Sequence, residues 1–126
     1  MAMKTVLVTG GNRGIGKAIC QLLLEQHPDV NALLCSRNLE NGNKAAQEIQ
    51  HQVGNACEGR LHVVEMDTSS DDSVSKAATE IASQHKSLYA ICNNAGVHNG
   101  PSHKDVMNTN YFGPRRVNDA LINLLQ

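Results

Sequence analysis

The chain has 126 residues, of which 40% are hydrophobic and 18% are charged, and its formal net charge is −1. This length predicts a single domain covering residues 1–126. The balanced charge and the lack of tryptophan argue against a nucleic-acid surface, which needs basic patches and stacking rings. Residues 1–3 are too short for a targeting segment and no apolar run approaches the roughly 18 residues of a membrane span, so we expect a soluble cytoplasmic protein that does not bind membranes.

The four cysteines are widely separated and form no C-x-x-C pair. Cys35 and Cys92 fall in apolar segments and Cys20 falls in a helical pattern, so we expect buried free thiols of a reducing compartment rather than disulfides. The six histidines are scattered without the spacing of metal ligands, and we therefore expect no metal site.

Four short apolar segments are predicted to be strands. They are nearly continuous rather than alternating, which is typical of parallel strands covered by helices on both faces. In chain order these segments are Lys4–Thr9, Val30–Ser36, Leu61–Met66 and Leu88–Asn93.

Helical patterns lie between the predicted strands. The first begins near Gly14 and ends before Pro28, because the residue before a proline is pushed out of the α region. Capping side chains in Thr68–Asp72 open the third helix, and the last helix is predicted from about Asp105 to Leu125. This α/β alternation predicts a doubly wound parallel sheet of the Rossmann type, incomplete, with about four strands.

A glycine-rich loop, TGGNRGIG (9–16), follows the first predicted strand. Its place between a strand and a helix leaves backbone N–H groups free at the helix N-terminus, which suits a pyrophosphate. Gly10 would turn the chain off the strand, Gly14 would let the backbone approach a phosphate, and Gly16 would let the helix pack on the strand. The spacing GxxxGxG differs from the general GxGxxG fingerprint, so a tight turn without a ligand stays open as the alternative.

The end of the second predicted strand bears on the choice of cofactor. Ser36 and Arg37 stand there and no acid occurs before Glu40, whereas NAD sites usually place a carboxylate there to bind the ribose 2′-hydroxyl. Arg13 and Arg37 could converge on a 2′-phosphate through their planar guanidinium groups. We therefore expect NADP(H) rather than NAD(H); the alternative is that Arg37 is a solvated residue that opens a turn.

Three motifs, in order along the chain, give it a resemblance to a known family. TGGNRGIG (9–16), NNAG (93–96) and NTNYFG (108–113) resemble the motifs of the short-chain dehydrogenases/reductases. TGGNRGIG, the SR dipeptide at 36–37 and MNTNYFG (107–113) together are most similar to the NADPH-dependent carbonyl reductase branch. The resemblance covers the whole chain and implies an oxidoreductase that binds a nicotinamide dinucleotide and reduces small carbonyl compounds.

The resemblance implies a role for each matching residue. Arg37 would face the 2′-phosphate, and Asp67 would accept a hydrogen bond from the adenine amino group, with Thr68 on the same edge. Helix capping is the alternative for Asp67, and for Asn93 we expect a structural role between strands. The residues implied around the adenosine, the pyrophosphate and the ribose are Gly10, Asn12, Arg13, Gly14, Ile15, Gly16, Asn94, Ala95 and Gly96.

Asn110 matches the family's catalytic asparagine, whose backbone carbonyl is implied to hold a water molecule in a proton relay. Pro114, four residues later, has no N–H to bond that carbonyl, and its ring would kink the last helix and leave the carbonyl free. Alternatively, Pro114 only starts a second helix after a turn at Gly113.

The family also uses a serine and a Tyr-x-x-x-Lys pair that lie beyond the asparagine motif, after a fifth strand. Tyr89 is followed four residues later by Asn93, and Tyr111 by Arg115, so neither tyrosine makes that pair. We expect little or no turnover by this chain alone. It would be either the cofactor-binding half of an enzyme or a truncated, non-catalytic module for nucleotide binding or interaction.

Two consequences for packing are expected. The fourth strand would form an unpaired edge, and the apolar stripe of the last helix would lack the sheet that it should cover. An exposed edge and an apolar patch favour self-association. The stripe consists of Val117, Leu121, Leu124 and Leu125.

Overall fold

The computed structural model describes residues 2–126 and contains one parallel sheet of four strands. The predicted sheet is confirmed, although Thr9 and Met66 lie just beyond their strands and the fourth strand is shorter than the predicted Leu88–Asn93. The order β3-β2-β1-β4 places the first strand, and the loop that follows it, in the middle of the sheet. The strands are β1 (Lys4–Val8), β2 (Val30–Ser36), β3 (Leu61–Glu65) and β4 (Ala90–Cys92).

Helices connect the strands, and three of them begin at a capping side chain. Asn38, Ser70 and Ser102 each accept a hydrogen bond from the backbone N–H three residues later, which satisfies one of the free donors of the first turn. Short 3-10 turns occupy Gly54–Cys57 and Ile122–Leu124. The helices are α1 (Gly14–Gln26), α2 (Leu39–Val53), α3 (Asp71–Gln84), α4 (His103–Asn110) and α5 (Phe112–Leu121).

The two faces of the sheet bury separate hydrophobic clusters. Consecutive strand residues point to opposite faces, so Leu7 and Leu33 pack with α3 and α5, whereas Val8 and Leu34 pack with α1 and α2. All four side chains are fully buried. Because both faces are covered, the strands are apolar along their whole length, as expected for a parallel sheet.

The last helix differs from the prediction, because it is broken at Tyr111 into α4 and α5. Pro114 is in the first turn of α5, where its missing N–H costs nothing, whereas a continuous helix would need that N–H to bond Asn110. Gly113 lies inside α5 and packs against Thr68, so the break precedes it. Pro114 thus belongs to a second helix, as one of the two alternatives expected, but the break before that helix is at Tyr111 and not at Gly113.

The prediction that the apolar stripe of the last helix lacks cover is wrong. Val117 and Leu121 are 0% exposed and belong to the cluster beneath the sheet, with Leu124 and Leu125 half-buried beside it. The reason is that α5 lies against α3, which supplies an apolar face of its own. The stripe is therefore part of the core.

The fourth strand lies at the edge of the sheet, as predicted. Beyond its N-terminal end, Leu88 forms a single parallel bridge with Leu125. The Leu88 N–H donates to the Leu124 carbonyl at 2.7 Å, and the Gln126 N–H donates to the Leu88 carbonyl at 3.1 Å. The end of the chain thus begins a ladder on the outer side of β4.

The four thiols are free, and Cys20, Cys35 and Cys57 are buried, whereas Cys92 is half-buried. Burial raises the pKa of Cys20 to about 12 and raises the pKa of Cys35 as well, so both thiols stay protonated at neutral pH. Within residues 2–126, no helix has the length and apolar character to cross a bilayer.

Candidate functional site

A cleft of about 410 Å³ opens at the carboxyl ends of the strands. This is the edge where ligands bind in open α/β sheets, at the point where the strand order reverses on either side of β1. The predicted cofactor-binding residues line the cleft, with the exception of Gly16, which lies behind the loop. Those that line it are Gly10, Asn12, Arg13, Gly14, Ile15, Arg37, Asp67, Thr68, Asn94, Ala95 and Gly96.

Two requirements shape the glycine loop: a left-handed backbone and close packing. Gly10 and Gly14 have φ angles of +62° and +56°, the left-handed region that side chains disfavour. A Cβ on Gly16 would lie 3.0 Å from the Gly10 carbonyl carbon and 2.5 Å from Asn94 Nδ2. In contrast, the Cβ direction of Gly14 has no atom within 4 Å among the described residues, so this position faces open space.

The N-terminus of α1 presents free donors to the cleft. Arg13, the residue before the helix, makes no side-chain capping bond, and the first intrahelical bond runs from the Lys17 N–H to the Arg13 carbonyl. The N–H groups of Gly14, Ile15 and Gly16 precede that bond and have no intrahelical acceptor. With the positive end of the helix dipole, these donors suit an anion.

Thr9 and Asn94 hold the glycine loop against the end of β4. The buried Thr9 hydroxyl oxygen accepts from the N–H groups of Asn94 and Ala95, each at 3.0 Å. Asn94 Nδ2 donates to the carbonyls of Thr9 and Gly10, each at 3.2 Å. The bridge between strand ends that the sequence predicts for Asn93 is made by Asn94.

Asn93 instead connects β4 to α5. Its Nδ2 donates to Asn118 Oδ1 at 3.0 Å, and the side chain is exposed. The role is still structural, but it joins a strand to a helix rather than two strands. The two adjacent asparagines could not be told apart from their spacing alone.

The charged groups of the cleft lining are two arginines and one aspartate. Arg13 and Arg37 are exposed, and Asp67 is half-buried at the end of β3. Glu40 is not among the lining residues, although it follows β2 closely. At the end of β2, the buried Ser36 hydroxyl donates to the Asn38 carbonyl at 2.8 Å.

Asp67 does not cap α3, so the capping alternative is wrong. Ser70 caps that helix, and the Asp67 N–H donates to Ser73 Oγ at 2.8 Å. Asp67 Oδ1 accepts from the N–H of Ser69 at 3.0 Å and from its hydroxyl at 2.6 Å. The carboxylate is thereby oriented by its own loop on the wall of the cleft.

The Asn110 side chain does not line the cleft. Its Oδ1 accepts from the Val97 N–H at 2.8 Å, and its Nδ2 donates to the Val97 carbonyl at 2.7 Å. The amide therefore ties the end of α4 to the loop after β4. Thr109, the preceding residue, is the one that lines the cleft.

Sequence reasoning missed several lining residues. Those next to strand ends could have been found by extending each strand-end segment by one or two positions. Asn41 and Thr109 lie on helices, and no sequence signal places them at the cleft. The missed residues are Ser36, Asn38, Asn41, Met66, Ser69, Val97 and Thr109.

Comparisons with known proteins agree with this architecture. The (-)-isopiperitenone reductase of Mentha piperita is 31% identical over an alignment 165 residues long, which covers 95% of this chain and 52% of that relative. The chain spans 33% to 52% of the length of the first curated relatives that it matches.

Two solved structures share the fold. The menthone neomenthol reductase of Mentha piperita has a TM-score of 0.90 at 24% identity, over 100% of this chain and 57% of that one. The RhlG protein of Pseudomonas aeruginosa, in an NADP active-site complex, has a TM-score of 0.84 at 27% identity, over 98% of this chain and 47% of that one.

The family model described as short chain dehydrogenase matches residues 4–126, which is nearly the whole chain. The three sequence motifs at 9–16, 93–96 and 108–113 lie within this match, and each contributes residues to the lining of the cleft. On these grounds the chain belongs to the short-chain dehydrogenase/reductase family.

Proposed function

We propose that the chain is the cofactor-binding part of an NADP(H)-dependent oxidoreductase that reduces carbonyl compounds, of the carbonyl reductase type. The observation that carries this proposal is the charge of the cleft. Two guanidinium groups, Arg13 and Arg37, line it, and no carboxylate from the end of β2 does. A relative named as a reductase and a structural neighbour described in complex with NADP support the same reading.

The residues present fit such a cofactor. The free N–H groups at the start of α1 and the open space at Gly14 would accept the pyrophosphate. Arg37 and Arg13 would bind the 2′-phosphate, and Asn38 and Asn41 also line the cleft. When bound, the nicotinamide would supply hydride to the carbonyl carbon of a substrate.

The remaining contacts follow the family assignment. Asp67 and Thr68 would hold the adenine edge, and Asn94, Ala95 and Gly96 would lie against the ribose. Because Asn94 Nδ2 already donates to the glycine loop, a contact of this residue with the ribose would use its other atoms.

Asn110 is the catalytic residue that we assign in this chain, through its backbone carbonyl. Pro114 offers that carbonyl no N–H, and the break at Tyr111 interrupts the helix at the same place. The bonds from the Asn110 side chain to Val97 fix the residue, so the carbonyl can hold a water molecule for proton transfer.

Calorimetry with NADPH, NADH and ATP tests the proposal. We expect NADPH to bind more tightly than NADH and ATP not to bind measurably. Equal affinity for NADPH and NADH would contradict the 2′-phosphate assignment. Binding of NADPH without any turnover in the longest natural form of the protein would favour a non-catalytic nucleotide-binding module. The absence of lysine four residues after Tyr89 and Tyr111 is compatible with such a module.

A further inference from the structure

The Arg116 side chain reaches from α5 to the loop between β3 and α3. Although charged, it is only 18% exposed. Its Nη1 donates to the carbonyl oxygens of Thr68 at 2.8 Å and of Asn108 at 3.2 Å, and its Nη2 donates to Asn108 Oδ1 at 2.6 Å. Nε pairs with Asp71, so all three nitrogens are used in a planar fork that lysine cannot reproduce.

The ion pair with Asp71 does not explain this arrangement. The Asp71 side chain is 86% exposed, and ion pairs at such exposed carboxylates contribute little to stability. The contacts that the half-buried guanidinium makes with Thr68 and Asn108 are sheltered from water, where hydrogen bonds from a charged donor are stronger. The main contact of Arg116 is therefore the one with the loop between β3 and α3.

Asn108 extends the contact of Arg116 by one residue along that loop. Its Oδ1 accepts from Arg116, and its Nδ2 donates to the Ser69 carbonyl at 3.0 Å. The carbonyls of two consecutive residues, Thr68 and Ser69, are thus bound by one linked pair of side chains. This fixes the orientation of two successive peptide groups.

The loop held in this way is a wall of the cleft. Asp67, Thr68 and Ser69 line the cleft, and Ser69 donates both its N–H and its hydroxyl to Asp67 Oδ1. Hydrogen bonds therefore run without a gap from Arg116 through Asn108 and Ser69 to the Asp67 carboxylate. Neither Arg116 nor Asn108 is among the residues that line the described cleft.

We propose that Arg116 and Asn108 are positioning residues for the adenine end of the cofactor. They hold the peptide groups of Thr68 and Ser69 so that Ser69 aims the Asp67 carboxylate at the exocyclic amino group of the base. This inference rests on the proposed function, and it assigns selectivity for the base to two residues outside the cleft.

The test compares NADPH with its hypoxanthine analogue, in which an oxygen replaces the adenine amino group. The wild-type protein should bind NADPH about ten- to a hundredfold more tightly than the hypoxanthine analogue, since only the adenine amino group can donate to Asp67. In Arg116→Lys this ratio should fall to about threefold or less, with the affinity for the hypoxanthine analogue nearly unchanged. A general loosening of the fold would instead weaken the binding of both nucleotides by the same factor.

Asn108→Asp provides a second variant. It keeps an acceptor for Arg116 Nη2 but replaces the donor to Ser69 by an oxygen, and it should lose the same selectivity. Arg115→Lys is the matched control, because Arg115 is adjacent on α5 and its side chain is 66% exposed, 3.8 Å from Asp119. This control should keep the wild-type ratio.

Equal losses for both nucleotides in the two variants would overturn the inference, and so would unfolding of both, since the residues would then serve the fold rather than the base. A wild-type protein that binds both nucleotides equally would overturn the role of Asp67 and this inference with it. A wild-type protein that binds neither nucleotide would overturn the proposed function itself.

Discussion

The side-chain amide of Asn110 pairs with both backbone groups of Val97, accepting from its N–H at 2.8 Å and donating to its carbonyl at 2.7 Å. The amide thus satisfies both backbone groups of Val97, as a neighbouring strand would do in a sheet. This loop lines the cleft through Gly96 and Val97, so the residue assigned to proton transfer also supports a cleft wall.

Asn110→Leu should loosen this wall, because leucine has a similar size but makes neither bond. We expect the Val97 amide proton to exchange faster with solvent and the free energy of unfolding to fall by about 1–2 kcal/mol. Hydrogen exchange followed by NMR measures the first effect, and urea denaturation measures the second. Asn99→Leu, an exposed asparagine in the same loop, is the control. Unchanged exchange at Val97 would contradict the assigned pairing.

Gly16→Ala should destabilise the protein although alanine favours helices. The new Cβ would meet Asn94 Nδ2 at 2.5 Å and the Gly10 carbonyl, which are both fixed by hydrogen bonds. We expect a loss of about 1–3 kcal/mol in the free energy of unfolding, as for other overpacked sites.

Gly100→Ala is the matched control for Gly16→Ala. A Cβ at residue 100 would make ordinary contacts of 3.5 Å with Asp105 and 3.6 Å with Val106. Its effect should stay within about 0.5 kcal/mol. Similar losses for both variants, measured by urea denaturation, would show that the packing at Gly16 is not special.

Arg37→Asp should weaken the binding of NADPH more than that of NADH. The variant removes a charge-assisted bond to the 2′-phosphate and adds a carboxylate, which suits a ribose 2′-hydroxyl. NADPH should bind about ten- to a hundredfold more weakly, with little change for NADH. Calorimetry with both cofactors measures this, and an equal loss for the two would rule out the assignment of Arg37.

Turnover by this chain alone should be negligible. Neither Tyr89 nor Tyr111 has a lysine four residues later, so neither makes the Tyr-x-x-x-Lys pair of the family. Oxidation of NADPH should proceed at the buffer rate when quinones or aldehydes are added. Rates well above buffer, retained after repurification, would show that other groups protonate the carbonyl.

Stability should fall in alkaline solution because of Cys20. Burial raises the pKa of this thiol from 9.0 to about 12, so between these values the unfolded chain loses a proton that the folded protein keeps. For each proton that the folded protein keeps and the unfolded chain has lost, the free energy of unfolding falls by about 1.4 kcal/mol per unit of increasing pH. Denaturation between pH 8 and 11 measures the slope, and Cys20→Ala should make it shallower.

The features of the fold that were predictable are those that depend on local sequence. Apolar runs located the four strands, and Pro28 located the end of α1 within two residues. The cleft followed from the glycine loop, because a strand, a glycine turn and a helix can only place their N–H groups at one edge of the sheet.

The features that were not predictable depend on contacts between distant segments. The burial of Val117 and Leu121 requires α3 as a partner, and their spacing along the chain does not reveal it. The break at Tyr111 reflects Pro114 together with the packing of Gly113 on Thr68. The bridge expected of Asn93 is made by Asn94, because of the two side chains the one that contacts the glycine loop is that of Asn94.

The bridge between Leu88 and Leu125 has a practical consequence for handling the protein. A peptide fused after Gln126 would continue in parallel alignment with β4, beside the edge on which the backbone of Ala90, like that of Leu88, faces away from β1. An affinity tag at that end should therefore begin with glycine and proline, whereas a tag made of β-branched residues would be drawn into the sheet.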